Sequence, residues 1–126
     1  MRLNLILPKV EPTQFEFPKK CPRAGCRGMQ FIPRQEVRKK ILDTQHPEVT
    51  AWRCECKKCG HVFRVYPKGV SQKHISKRVN GMAIMLYILG LSYGAVEIVL
   101  SSLGIGIGKT SVFRAVQAMA KQVPGL

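Results

Sequence analysis

Four of the five cysteines fall into two short pairs, Cys21-Pro-Arg-Ala-Gly-Cys26 and Cys56-Lys-Lys-Cys59-Gly60. Zinc takes four soft ligands in a tetrahedron, and a small residue after the second cysteine of a pair lets backbone amides turn toward the sulfurs. The spacing therefore predicts one Zn2+ per chain, held by Cys21, Cys26, Cys56 and Cys59. Four protein ligands leave no open position for water, so this metal is expected to be structural and not catalytic. Cys54 sits two residues before Cys56, on the same side of an extended strand, and is expected to be a free thiol or a small core residue. His61 is an alternative ligand or a hairpin surface residue. Lys19, Lys20, Arg23, Arg27, Arg53, Lys57 and Lys58 crowd the two turns, either as a solvated basic face or as phosphate contacts.

A second candidate for chemistry is GIGIGKTS, residues 104–111, which suggests a phosphate-binding loop. The Walker pattern ending at Gly108-Lys109-Thr110 needs glycine at 103, where the chain has Leu103, and it needs a strand feeding the loop where helical spacing precedes it. No nucleotide is expected. The same glycines fit better as the turn before a helix running from about Lys109 to Gln122. Val112, Val116, Met119 and Val123, with Ala115, make one apolar stripe of that helix. Thr110, Arg114, Gln117 and Lys121 lie half a turn away with Lys109, Ser111 and Phe113. Those side chains can reach base edges and phosphates, and Lys73, Lys77 and Arg78 supply further cations before and within the first helix.

The elements that must position these groups divide the chain in four. Residues 1–20 hold Pro8, Pro12 and Pro18, with Pro22 just beyond, and read as an extended arm with a short strand at Leu3–Leu7. Residues 21–67 hold strands near Glu36–Leu42, Val49–Cys54 and His61–Tyr66, with a connection through Pro47. Residues 68–72 form a linker or hinge. Residues 73–123 turn helical: Ile75, Val79, Met82, Ala83 and Leu86 make one stripe, and Val96, Val99, Leu100 and Leu103 a second. Gly90 and Ser92 end the first helix and cap the next. The expected fold class is small α+β, a zinc-ribbon β-hairpin module followed by a three-helix helix-turn-helix module.

Composition narrows the partners. The chain has 126 residues, with 21 Lys+Arg against 7 Asp+Glu and a formal net charge of +14. Such a charge favours a polyanion, nucleic acid before membrane. Asp43 is the only aspartate and Glu97 the only acid after residue 60, which argues against an enzyme that needs paired carboxylates. Val79–Val96 carries no charge, but Asn80, Gly81, Gly90, Ser92 and Gly94 interrupt it, so no membrane span is expected. The apolar run in MRLNLILPKVEP is too short for a secretory signal, and thiols in a reducing compartment read as metal ligands before disulfides.

The runs CPRAGC, WRCECKKCGHVFRVYPKGVS and LYILGLSYGAVEIVLSSLGIGIGKTSVFRAV together resemble the N-terminal zinc-ribbon and helix-turn-helix region of bacterial insertion-sequence transposases, over about Cys21–Gln122. The chain differs in the four-residue spacing of its first cysteine pair and in a longer turn before Lys109. The resemblance implies double-stranded DNA as the partner, as transposon-end inverted repeats or an operator. It also implies a second copy or a separate transposase subunit as a further partner, and a cytoplasmic, nucleoid-associated prokaryotic setting. The RNase H-like catalytic domain of that family has no counterpart in these residues, so a non-catalytic DNA-binding protein or fragment is expected. The alternative is an adaptor whose apolar helices dock a nuclease or a transcription complex.

Overall fold

The computed structural model describes residues 7–122. Residues 3–6 of the expected Leu3–Leu7 strand, and Val123 of the third helix's stripe, lie outside them. Five strands precede three helices: β1 (Glu11–Phe15), β2 (Phe31–Lys40), β3 (Glu48–Cys56), β4 (Val62–Val65), β5 (Pro67–Lys68), α1 (Lys77–Ile88), α2 (Tyr93–Ser102) and α3 (Lys109–Gln122). The chain is thus a small α+β fold.

β2, β3 and β4 form an antiparallel sheet in chain order. Its register slips between Pro33 and Gln35, leaving Arg34 in a bulge. The buried side of β3 changes at the same level. Val49 and Ala51 are buried toward one face, whereas Cys54 and Cys56, of the opposite parity, are buried toward the other. The expected proline-rich arm supplies β1, which pairs with β5, so Lys68 at the start of the 68–72 segment is held in a strand pair. Val70 is buried with Val10, Ile41 and Val49 in a small core under Tyr66. Gly69 has φ +87°, and a Cβ there would collide with the Lys9 carbonyl.

The helical half builds its own core from Ile75, Val79, Ala83, Val96, Leu100, Ile105, Ile107 and Val112. Burying a valine or leucine of this kind contributes about 1.5–3 kcal/mol. Ser76 and Ser92 cap α1 and α2, their hydroxyls accepting from the Val79 and Ala95 amides at 3.2 and 3.1 Å. The first amide of α3, Lys109 N–H, donates to Glu97 Oε2 at 3.1 Å, so the last acid of the chain sits at the positive end of that helix. Leu103, expected on the second stripe, is 58% exposed because it is the C-cap of α2, where the chain leaves the helix axis. The uncharged Val79–Val96 stretch is split by the turn between α1 and α2, and no helix among the described residues is long and apolar enough to cross a membrane.

One buried carboxylate joins the two halves. Asp43 Oδ2 accepts from the Gln45 and His46 amides, both at 3.1 Å, and its Oδ1 accepts from Ser76 Oγ at 2.6 Å. Arg78 Nε lies 3.9 Å from the same carboxylate, and Arg78 Nη1 donates to Thr44 Oγ1 at 3.0 Å. Leu42 bridges Ile75 alongside, with Leu42 N–H donating to the His74 carbonyl at 2.8 Å.

Candidate metal centre and nucleic-acid interface

The loop before β2 and the turn between β3 and β4 meet at one end of the sheet. There the sulfurs of Cys21, Cys26, Cys56 and Cys59 all lie within 4.8 Å of one another. Cys21 and Cys59 are 3.6 Å apart, and Cys26 and Cys56 3.9 Å. Sulfurs about 2.3 Å from a tetrahedral ion would stand roughly 3.8 Å apart, so the donor set and its spacing fit a metal of zinc's size. When bound, such an ion would cross-link the two turns.

Backbone hydrogen bonds close both turns, and backbone amides reach two of the four sulfurs. Cys21 N–H donates to the Gly28 carbonyl at 2.8 Å, and Gly60 N–H to the Cys56 carbonyl at 2.9 Å, closing the two turns. Gly28 N–H also points at Cys26 Sγ, 3.4 Å away. The His61 backbone amide lowers the Cys59 thiol to about 7. Burial carries the Cys21 thiol up to about 12. The His61 ring is not among the four donors; it stacks on Phe63 with centroids 6.2 Å apart. Cys54 is fully buried, pairs in register with Phe63, and lies outside the cluster.

Gly28 is the positioning residue that spacing alone did not single out. A Cβ at this position would stand 2.6 Å from Cys56 Sγ, inside van der Waals contact. Gly28→Ala is therefore expected to weaken metal affinity by roughly 10–100-fold, the range seen when groups supporting the ligands are disturbed. Competition with a colorimetric chelator measures it; wild-type affinity would show that the turn yields freely.

On α3, Val112, Ala115 and Val116 are buried, while Lys109, Thr110, Phe113, Arg114, Gln117 and Lys121 are exposed and Ser111 is half-buried. Ser111 and Arg114 line a cleft of about 220 Å³ together with Lys73, His74 and Asn80, so residues distant in sequence converge. Phe113 packs edge-on against Tyr93 at 5.5 Å, and Tyr93 stacks on Tyr87 at 5.0 Å. Lys77 is exposed and lies apart from that cleft, along a groove shared with Arg64 and Lys68. Arg78 is only 13% exposed and its guanidinium is turned to Asp43 and Thr44, so its place in the fold is that of a tie between the halves. Asp43 and Glu97, the two acids that set α1 and α3, carried no signal of these partners in the sequence. The lone aspartate at a strand end was at most a cue for a local Asx turn. No family model, no curated protein and no solved structure matches this chain.

Proposed function

We propose that this chain is a non-catalytic DNA-binding protein, or the DNA-binding part of one, in which α2, the glycine-rich turn and α3 act as a helix-turn-helix. In this reading the four-cysteine cluster holds a structural zinc and the β2–β4 sheet serves as a zinc ribbon. The observation that carries it is the division of α3: one side is buried in the helical core, and the other presents Lys109, Arg114, Gln117 and Lys121 with no acidic residue anywhere on the helix. Thiolate-only ligation favours zinc over the harder divalent ions. The resemblance to transposase N-terminal regions points to transposon-end or operator DNA as the target.

Arg114 lies about one turn into α3, where a guanidinium can take a guanine edge bidentately, worth about 1–3 kcal/mol of discrimination. Lys121 lies near the far end, where a recognition helix leaves the groove, and its part is a phosphate contact. Arg114→Ala is accordingly expected to relax sequence preference at one position, and Lys121→Ala to weaken all sequences alike. Site selection from a random duplex pool with both variants, after thermal unfolding shows both folded, makes the measurement. Full preference in Arg114→Ala would remove α3 as the reader.

A second reading rests on the exposed apolar side chains of the helical half, Leu89, Ile98 and Leu103, at 70%, 71% and 58% exposure. These suit an adaptor that docks another protein. Salt separates the two: DNA binding through roughly 5 phosphates gives a slope of about −4.5 in log K against log salt, whereas apolar docking gives a slope near zero.

A further inference from the structure

Arg53 of β3 stands directly opposite Arg64 of β4, and on its other side Arg53 faces Gln35 of β2. The three side chains make a row across the exposed face of the sheet, bordering an open depression of about 490 Å³ with Val37, Val62 and Phe63. Like charges directly opposite on neighbouring strands destabilise a sheet. Glu55, the carboxylate next along that face, is taken by Arg34 at 2.7 Å, and Glu48 pairs with Arg38. Among the described residues neither Arg53 nor Arg64 is in an ion pair. The field of Arg64 also reaches Lys39, whose pKa is lowered first by burial and then by that charge.

The row is extended and open. The two guanidinium groups stand one strand spacing apart, about 5 Å, and Gln35 carries the polar row to about 10 Å. It is also continuous with the helical half. Arg64 lines a second, larger groove of about 650 Å³ with Lys68, Gln72 and Lys77, along which Glu16 is the one carboxylate. Arg64 and Lys77 thus stand along one groove, with Lys68 between them paired to Glu11 at 3.7 Å.

We propose that Arg53 and Arg64, with Gln35, form a second phosphate-contact surface, distinct from α3, that grips the backbone of duplex DNA. Planar guanidinium forks match phosphate oxygens, and an anionic backbone supplies the counter-charge that the sheet lacks. The surface positions the duplex without reading it. This inference rests on the DNA-binding reading above.

The test uses the full chain with Arg53→Gln, Arg64→Gln and the double variant. Affinity for a duplex of arbitrary sequence is followed by fluorescence anisotropy across a range of salt. Each substitution is expected to flatten the slope of log K against log salt by about 0.9 and to lower affinity roughly 5–10-fold near 0.1 M salt. Arg64→Lys should retain most of the slope. Relief of the like-charge pair should meanwhile raise the thermal midpoint by about 1–3 °C, so weaker binding cannot be ascribed to unfolding. If the wild type binds and the double variant keeps its slope and affinity, the sheet face is no contact surface and the α3 reading stands alone. If the wild type binds no duplex at all, the DNA-binding reading falls and takes this inference with it.

Discussion

Cys56→Ser is expected to hold no metal ion and to lose the folded β2–β4 sheet, the largest single effect predicted for this chain. Cys56 is buried at the end of β3, where its sulfur lies 3.9 Å from that of Cys26 and its amide donates to the His61 carbonyl at 2.9 Å. Structural zinc contributes about 10–16 kcal/mol of apparent binding free energy in small metal-folded domains, as much as the whole stability of an ordinary one. The apolar core beside the cluster is too small to replace that. Val10, Ile41, Val49 and Val70 lie at the other end of the sheet. Cys54→Ser is the control: its sulfur lies outside the cluster, so metal should remain at one equivalent per chain. The buried hydroxyl should reduce stability by about 1–3 kcal/mol. Elemental analysis with circular dichroism of both variants decides the matter, and one equivalent of zinc in Cys56→Ser would overturn the ligand assignment.

Asp43→Asn is expected to lower the thermal midpoint by roughly 10 °C, corresponding to about 3 kcal/mol for removing a buried carboxylate that accepts three hydrogen bonds and stands 3.9 Å from a guanidinium. The carboxylate accepts at both oxygens, from Ser76 Oγ and from the Gln45 and His46 amides. An amide in its place would turn a donor toward donors, and Arg78 would lose the carboxylate 3.9 Å from its Nε. Burial raises the Asp43 pKa, but the Ser76 hydroxyl, the two amides and Arg78 together outweigh it and hold it below the ordinary 3.8. A depressed carboxylate pKa stabilises the fold above the unfolded-state value and stops doing so as pH falls through the folded-state value. The gap in midpoint between wild type and variant should therefore be constant above about pH 5 and shrink below about pH 4. Taking the difference cancels any acid release of metal common to both proteins. A gap that is absent at neutral pH, or unchanged in acid, would show that Asp43 does not hold the two halves together.

What could be read in advance was local. The four clustered cysteines were marked by their own spacing, because a tight turn presents both sulfurs of a pair with little help from the rest of the chain. The strands around Val37, Ala51 and Val65 followed from alternation, and α1, α2 and α3 from their stripes, with Ser92 marking its own cap. Only the tertiary structure decided what depends on register and on partners far along the chain. Asp43 meets Ser76 across 33 residues, β1 finds β5, and Glu97 reaches the first amide of α3. The bulge at Arg34 shifts the register of β2 against β3, and the pairing beyond it sets Gln35 beside Arg53, with Arg64 opposite on β4. A slip of one residue would have sent every side chain of the strand to the other face, and the alternation of a strand with both faces partly buried does not specify which register wins.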